Sequence, residues 1–260
     1  MWEKELQAAI EAGLKARVKI MEIYNKGFDV EIKEDDSPVT IADKTADKII
    51  REHLHNAFPA HAFLTEESED NEERLNNDYV WIVDPIDGTK DFVAKNGEFS
   101  VNIGLSYKHK AVLGVILIPV TGEIYYGVEG MGSFYLKNKD AKPVKIHVND
   151  KTKDLTTLTS NFHHNQNEID VLNKHSDVIT KQVHVGATIK GCWIACGKAE
   201  HHYRYSSNTK EWDTCAMQVI VEQAGGYLLK FDGTPIRYNR EDVYNRDGYI
   251  ICNRLENFLL

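Results

Sequence analysis

The sequence predicts a layered α+β sandwich, an α/β arrangement of sheets stacked against helices, and three observations carry that reading. Helix-like and strand-like segments alternate in both halves of the chain. Between them runs a series of strand-like segments joined by short turns, the pattern of an antiparallel meander rather than a purely parallel sheet. The chain has 260 residues and 42% hydrophobic content, enough to bury a substantial core.

Residues 2–25 place Leu6, Ile10, Leu14, Val18 and Met21 on one face of an amphipathic helix. A second helix is predicted over 40–57, where Thr40 followed three residues later by Asp43 fits a capped start. Phe63-Leu64-Thr65 reads as a short apolar strand that runs into Glu66-Glu67. Residues 79–84 form a further strand. Runs over 99–107, 111–118 and 122–129, separated by Lys108-His109-Lys110 and Thr121-Gly122, supply the meander. Val112 to Ile118 is almost wholly apolar, which makes that strand central and buried on both faces. The second half is expected to hold a strand over 155–160, helices over 167–175, 187–197 and 213–224, and strands over 226–231 and 248–253. Gly225-Gly226 stops the last helix. There is no internal repeat and no low-complexity linker. The polar stretch from Val144 to Leu155 divides a first half, 1–150, from a second, 151–260, within one compact unit.

The chemistry concentrates in Trp81-Ile82-Val83-Asp84-Pro85-Ile86-Asp87-Gly88-Thr89. A strand delivers Asp84 at its end, and Pro85 forces a bend that returns Asp87 toward the same point. Two converging carboxylates suit a hard dication such as Mg²⁺. Gly88-Thr89 then opens a helix at Lys90-Asp91-Phe92, and free N–H groups at such a start bind phosphate. The bland alternative is a turn followed by an ordinary cap. A dication needs more than two protein oxygens, and further acids stand at other element ends. These are Glu66 and Glu67 after their strand, Asp213 at a helix start and Asp43 at another. Each also has a structural reading, Asp213 as an N-cap and Asp43 as part of a capping pattern. Four acid-bearing ends beside one phosphate-type turn favour a site.

Net charge is −9, from 31 basic and 40 acidic side chains, which argues against a nucleic-acid polymer or an anionic membrane as partner. The four cysteines form no Cys-x-x-Cys pair and read as reduced core thiols. The opening Met-Trp-Glu-Lys-Glu-Leu has no apolar signal core, and no run reaches transmembrane length. A cytoplasmic location is therefore expected.

Val39-Thr40-x-x-Asp43, Glu66-Glu67-Ser68, Asp84-Pro85-Ile86-Asp87-Gly88-Thr89 and Trp212-Asp213 followed by Ala224-Gly225-Gly226 together resemble the inositol monophosphatase superfamily. The order and spacing match across nearly the whole chain. The resemblance implies a five-layer αβαβα fold and Mg²⁺-dependent, lithium-sensitive phosphomonoesterase activity. Asp36-Ser37-Pro38-Val39-Thr40, Lys90-Asp91-Phe92 and Asn96-Gly97-Glu98-Phe99 look like the superfamily's 3'(2'),5'-bisphosphate nucleotidases of the CysQ type. Those enzymes take the 3'-phosphate from 3'-phosphoadenosine 5'-phosphate to give AMP. Two stretches depart from that type. Gly186-Ala187-Thr188-Ile189-Lys190 stands where it usually reads Gly-Ser-Ser-Leu-Lys, and Ser160-Asn161-Phe162-His163 where it reads Ser-Arg-Ser-His.

Carried over, the resemblance gives Glu66, Asp84 and the Ile86 carbonyl to one ion, and Asp84, Asp87 and Asp213 to a second, among two or three Mg²⁺ ions. Glu66 joins the catalytic set with Thr89 and Asp43, the last two as a proton-accepting pair. Asp87, Gly88, Thr89 and Asp213 line the phosphate, and Lys190, Arg204 and Lys210 are candidates for a second phosphate. The expected partner is a small phosphorylated substrate, a nucleotide bisphosphate, with the protein a monomer or homodimer. His163-His164 and His201-His202 lack metal-ligand spacing, and Trp193 and Tyr203 suit core packing better than base stacking. Rival readings are an inositol or sugar phosphatase of the same fold, a phosphate-binding protein without catalysis, and an acidic structural protein.

Overall fold

The computed structural model describes residues 2–32, 38–162 and 165–260. Helix α1 (Glu3–Lys26) is followed by the short antiparallel pair β1 (Val30–Ile32) and β2 (Pro38–Thr40), then by α2 (Ile41–Ala57). β3 (Ala62–Thr65) and β4 (Tyr79–Asp87) run parallel. After α3 (Thr89–Ala94) come β5 (Ser100–Tyr107), β6 (Lys110–Ile118), β7 (Glu123–Val128), β8 (Gly132–Leu136) and β9 (Val144–Ile146). These seven strands lie side by side in chain order, antiparallel from β4 onward. β6 is the middle strand and is buried from Ala111 to Ile118.

The second sheet has five strands in the order β11-β10-β12-β14-β13, made of β10 (Leu155–Thr159), β11 (Ile179–His184), β12 (His201–Arg204), β13 (Tyr227–Leu229) and β14 (Tyr249–Cys252). Helices α4 (Gln166–Lys174), α5 (Ile189–Ala195) and α6 (Glu211–Gln223) belong to this part of the chain. Strands β1, β2, β8, β9, β11 and β12 are additions to the sequence reading. β12 is His-His-Tyr-Arg, with no β-branched residue. Pairing with β10 and β14, remote in sequence, makes it a strand.

Side-chain alternation builds the layers. In β4, Trp81 and Val83 join the core under α1 and α2, with Ala12, Ala16, Ile20, Ile50 and Leu54. Val80 and Ile82 join the opposite core, where Cys215, Val219 and Ile220 of α6 and Cys192 and Ile194 of α5 fill the space between the sheets. Leu158, Leu228 and Ile251 close that core from the second sheet. Leu172 of α4 packs with Leu155, Ile179, Tyr203 and Ile250 on the far side. The resulting order is α, β, α, β, α. No helix among the described residues is long and apolar enough to cross a membrane.

One device sets the depth of α6. Gly104, Gly114 and Gly127 are cross-strand partners on β5, β6 and β7. A Cβ on each would fall 2.5 Å from Cys215 Sγ, 2.2 Å from the Ala216 carbonyl oxygen and 2.8 Å from Ile220 Cα. Three glycines thus clear a path that lets the helix backbone rest directly on the sheet. All four cysteines are free, three buried and Cys196 half-buried.

Candidate metal and phosphate site

The Asp84–Asp87 segment shows how a strand can aim two acids at one point. Three residues apart in a regular strand, they would face opposite sides of the sheet. The pairing Asp84↔Asn102 and Asp87↔Ser100 breaks register, with one extra residue on β4. This is a β-bulge, and it lets both side chains serve one site. Pro85 lacks the N–H a regular ladder would use. The expected bend at the strand end is therefore a bulge inside a strand that continues to Asp87. The Ile86 N–H donates to Asp84 Oδ1 at 3.0 Å and closes the local turn.

Asp213 arrives from α6. The helix starts at Glu211, two residues earlier than expected, with Lys210 as N-cap. Asp213 is therefore in the first turn and not the cap. Its Oδ2 accepts from the Lys210 N–H at 2.6 Å, as in a capping box, and the helix N-terminus favours its negative charge. One carboxylate oxygen each from Asp84, Asp87 and Asp213 lies within 4.8 Å of the others. Glu66, just beyond β3, stands on the wall of the same cavity.

Electrostatics mark the cluster as short of positive charge. Burial and then the carboxylates of Glu66, Asp87 and Asp213 push Asp84 well above the ordinary aspartate range. Burial, Asp87 and Glu66 push Asp213 up to about 7. Asp87 is raised by burial, against Lys190, the Thr188 N–H and Asn102, which favour its charged form. Three hard oxygen donors in a half-enclosed pocket, each raising the cost of ionising the next, suit a hard divalent cation.

Beside them, α3 opens with Gly88 in the left-handed conformation and Thr89 as its first residue. The Thr89 hydroxyl is 3.4 Å from Asp43 Oδ1 and 3.3 Å from the Ile86 carbonyl oxygen. Asp43 is fixed by a capping box in which its Oδ2 accepts from the Thr40 N–H at 2.8 Å and the Thr40 hydroxyl at 2.7 Å. Burial raises its pKa, so it holds a proton more readily than a surface aspartate.

The cavity, about 440 Å³, is also lined by Lys190, Arg204 and Lys210. Lys190 is buried, and desolvation brings its ammonium down to about 8. His201 and His202 are buried in the second sheet, where desolvation keeps both neutral. His202 reaches the cavity wall, and its Nδ1 bonds the Leu158 carbonyl at 2.7 Å. Tyr203 packs in the outer core with Leu155 and Ile250, and Trp193 packs against the central core. Asn161 donates to Asp91 Oδ1 at 2.6 Å and Glu98 Oε2 at 2.8 Å, so it ties its loop to α3 and to the loop that follows it, beside the cavity. Asp36, Ser37, His163 and His164 lie outside the described residues. Asn102 and Thr188, which flank Asp87, were missed in the sequence. The one available signal for Asn102 was a polar side chain inside the apolar run of β5.

The chain matches the model of the inositol monophosphatase family over residues 1–259. It is 33% identical to the 3'(2'),5'-bisphosphate nucleotidase CysQ of Salmonella typhimurium over 252 residues, 96% of this chain and 98% of that protein. Its fold matches the crystal structure of CysQ from Bacteroides thetaiotaomicron with a TM-score of 0.82 and 34% identity, covering 97% of this chain and 98% of that one. The extragenic suppressor protein suhB of Bartonella henselae follows at a TM-score of 0.80 and 26% identity, covering 95% and 93%.

Proposed function

The chain belongs to the inositol monophosphatase family, and from that premise we propose that it is a Mg²⁺-dependent phosphatase that removes the 3'-phosphate of 3'-phosphoadenosine 5'-phosphate to give AMP. The convergence of Asp84, Asp87 and Asp213 beside the Gly88-Thr89 turn carries the reaction class. The likeness to CysQ proteins over almost the full chain supports the nucleotide as substrate. Lys190, Arg204 and Lys210 on the cavity wall offer positive charge to a second phosphate.

In this reading Asp84, Asp87, Asp213, Glu66 and the Ile86 carbonyl hold the cations. When bound, Mg²⁺ neutralises the phosphate and lowers the pKa of an attacking water. The Gly88 and Thr89 amides face the phosphate oxygens. The Thr89 hydroxyl orients the water and hands its proton toward Asp43. The water oxygen bonds phosphorus in line as the bond to the 3'-oxygen breaks, the departing oxygen takes a proton from solvent to become the 3'-hydroxyl of AMP, and no covalent enzyme intermediate forms.

Phosphate release from 3'-phosphoadenosine 5'-phosphate and from inositol 1-phosphate, with Mg²⁺ and with chelator, tests the reading. Strong Mg²⁺-dependent preference for the nucleotide is expected. Preference for inositol phosphate would move the chain to the inositol phosphatases, and no release from either would remove the enzyme reading. Thr89→Ala is expected to lower kcat by roughly 10²–10⁴, the scale of general acid–base help. Unchanged kcat would dissolve the Thr89–Asp43 pair.

A pH dependence follows from the raised carboxylates. A group whose pKa is higher in the folded state adds stability below its unfolded value and loses it as pH rises through the folded value. For Asp213 that window runs from about 4, the unfolded aspartate value, to about 7. Metal-free protein should therefore lose stability relative to metal-free Asp213→Asn between about pH 5.5 and about pH 8; scanning the two together cancels the buried His201 and His202, whose lowered pKa values act in the opposite direction. Added Mg²⁺ should raise the melting temperature more at the higher pH, because it replaces protons. Calorimetric scans at both pH values, with and without Mg²⁺, check this; equal Mg²⁺ shifts would contradict it.

A further inference from the structure

The geometry points to the Tyr249 hydroxyl as the group that reads a free sugar hydroxyl of the substrate, the 2'-hydroxyl of a ribose whose 3'-oxygen carries the departing phosphate. This deepens the phosphatase reading and rests on it. Tyr249 opens β14, is 4% exposed and lines the cavity. A buried phenol usually has a hydrogen-bond partner. This hydroxyl has none among the described residues. It differs from Nε2 of neighbouring His202, which is unpaired and sealed away. The Tyr249 hydroxyl is not sealed, and the space its side chain borders is the cavity. The rest of the residue belongs to the central core, so the polar end is the part left for a ligand.

The backbone holds it beside Arg204. The two residues are cross-strand partners on β12 and β14, so their side chains share one face, and both line the cavity. Gly248, just before, has φ +72°, and a Cβ there would fall 2.2 Å from the Arg204 carbonyl oxygen. Glycine is what lets β14 begin this close to β12. His202 stands on the same face two residues before Arg204. Its ring meets that of Tyr249 edge-on, with centroids 6.1 Å apart, and its bond to the Leu158 carbonyl fixes it there.

Burial raises the Tyr249 pKa, Arg204 opposes the rise, and Asp213 and Asp87 add to it. The group is therefore a neutral hydroxyl, able to donate and to accept, in the field of both the acid cluster and Arg204. A nucleotide bisphosphate held by its 3'-phosphate at the acid cluster and by its second phosphate at Lys190, Arg204 and Lys210 spans the wall between them. The ribose is the part that lies there, and its one free hydroxyl is at C2'. The phosphates have ammonium and guanidinium groups to meet them, whereas a neutral phenol matches a neutral hydroxyl.

Tyr249→Phe removes one oxygen and strands no protein group, so the variant should fold and melt with the parent. kcat/KM is measured on 3'-phosphoadenosine 5'-phosphate, on its 2'-deoxy analogue and on adenosine 3'-monophosphate, with Mg²⁺ in excess. The parent should favour the ribonucleotide over the deoxy analogue by roughly 5–150-fold, the scale of leaving a buried polar group unpaired. In Tyr249→Phe that preference should disappear. The deoxy analogue should be turned over as by the parent, and the loss on adenosine 3'-monophosphate should equal the loss on the bisphosphate. A parent that does not distinguish the ribonucleotide from its deoxy analogue would overturn the proposal, whatever the variant does. So would equal losses on those two substrates in Tyr249→Phe. A loss confined to the two substrates that carry a 5'-phosphate would overturn it as well and place Tyr249 with the phosphate readers. A parent that releases phosphate from none of the three would overturn the phosphatase reading itself, and this proposal with it.

Discussion

Asp84→Asn protein is expected to fold, to melt higher than the parent when metal-free, and to release phosphate at least about 10³-fold more slowly. The three outcomes share one cause. Asp84 is buried, and its charge is opposed by burial and by Glu66, Asp87 and Asp213. Asparagine keeps the shape, and its Oδ1 can still accept from the Ile86 N–H. It removes one negative charge from the cluster, so metal-free protein gains stability. On the proposed assignment Asp84 touches both cations, and that same charge is what binds them. The Mg²⁺-dependent rise in melting temperature should shrink with the activity. Opposite signs for metal-free stability and turnover separate a lost ligand from simple misfolding. A folded variant with near-parent turnover would remove Asp84 from the site.

Features carried by neighbours in sequence were legible, and features made by distant contacts were not. Thr40 and Asp43 form their capping box within one turn, so spacing alone announced it. Asp84 and Asp87 were visible as a pair because Pro85 sits between them, although the bulge needed Asn102 and Ser100 on β5 to define it. Asp213 was seen, but its place in the helix was two residues off. A first-turn carboxylate that accepts from the N-cap N–H looks like the cap itself in sequence. Lys190 gave no sign of burial. A lysine beside Ile189 reads as a surface cation until the Val185 and Ala187 carbonyls are brought to it by a left-handed residue. The glycines of β5, β6 and β7 lie 10 and 13 residues apart. They form a stripe only once the strands pair.

That stripe yields the second large effect. Gly114→Ala should lower the melting temperature by several degrees and reduce turnover with it. The new Cβ would sit 2.2 Å from the Ala216 carbonyl oxygen and 2.7 Å from its Cα, and no flexible side chain can yield there. Normal contact is about 3.5–4.0 Å, so α6 must lift by more than about 1 Å or β6 must bow. Overpacking of this kind costs about 1–3 kcal/mol, sometimes more, or roughly 2–12 °C in a chain of this size class. Asp213 lies one turn before Ala216 on the same helix, so lifting α6 draws its carboxylate away from Asp84 and Asp87. Mg²⁺ affinity should weaken although no ligand has been changed. Gly13→Ala provides the opposite sign from the same chemical change. Gly13 is buried within α1, and its added Cβ would meet Ile103 and Leu117 at an ordinary 3.8 Å. Alanine there gains about 0.8–1.0 kcal/mol of helix propensity and fills available space. Calorimetric scans of the two variants beside the parent should bracket it, Gly13→Ala above and Gly114→Ala below. If Gly114→Ala melts with the parent and keeps its Mg²⁺ affinity, the glycine stripe does not set the depth of α6.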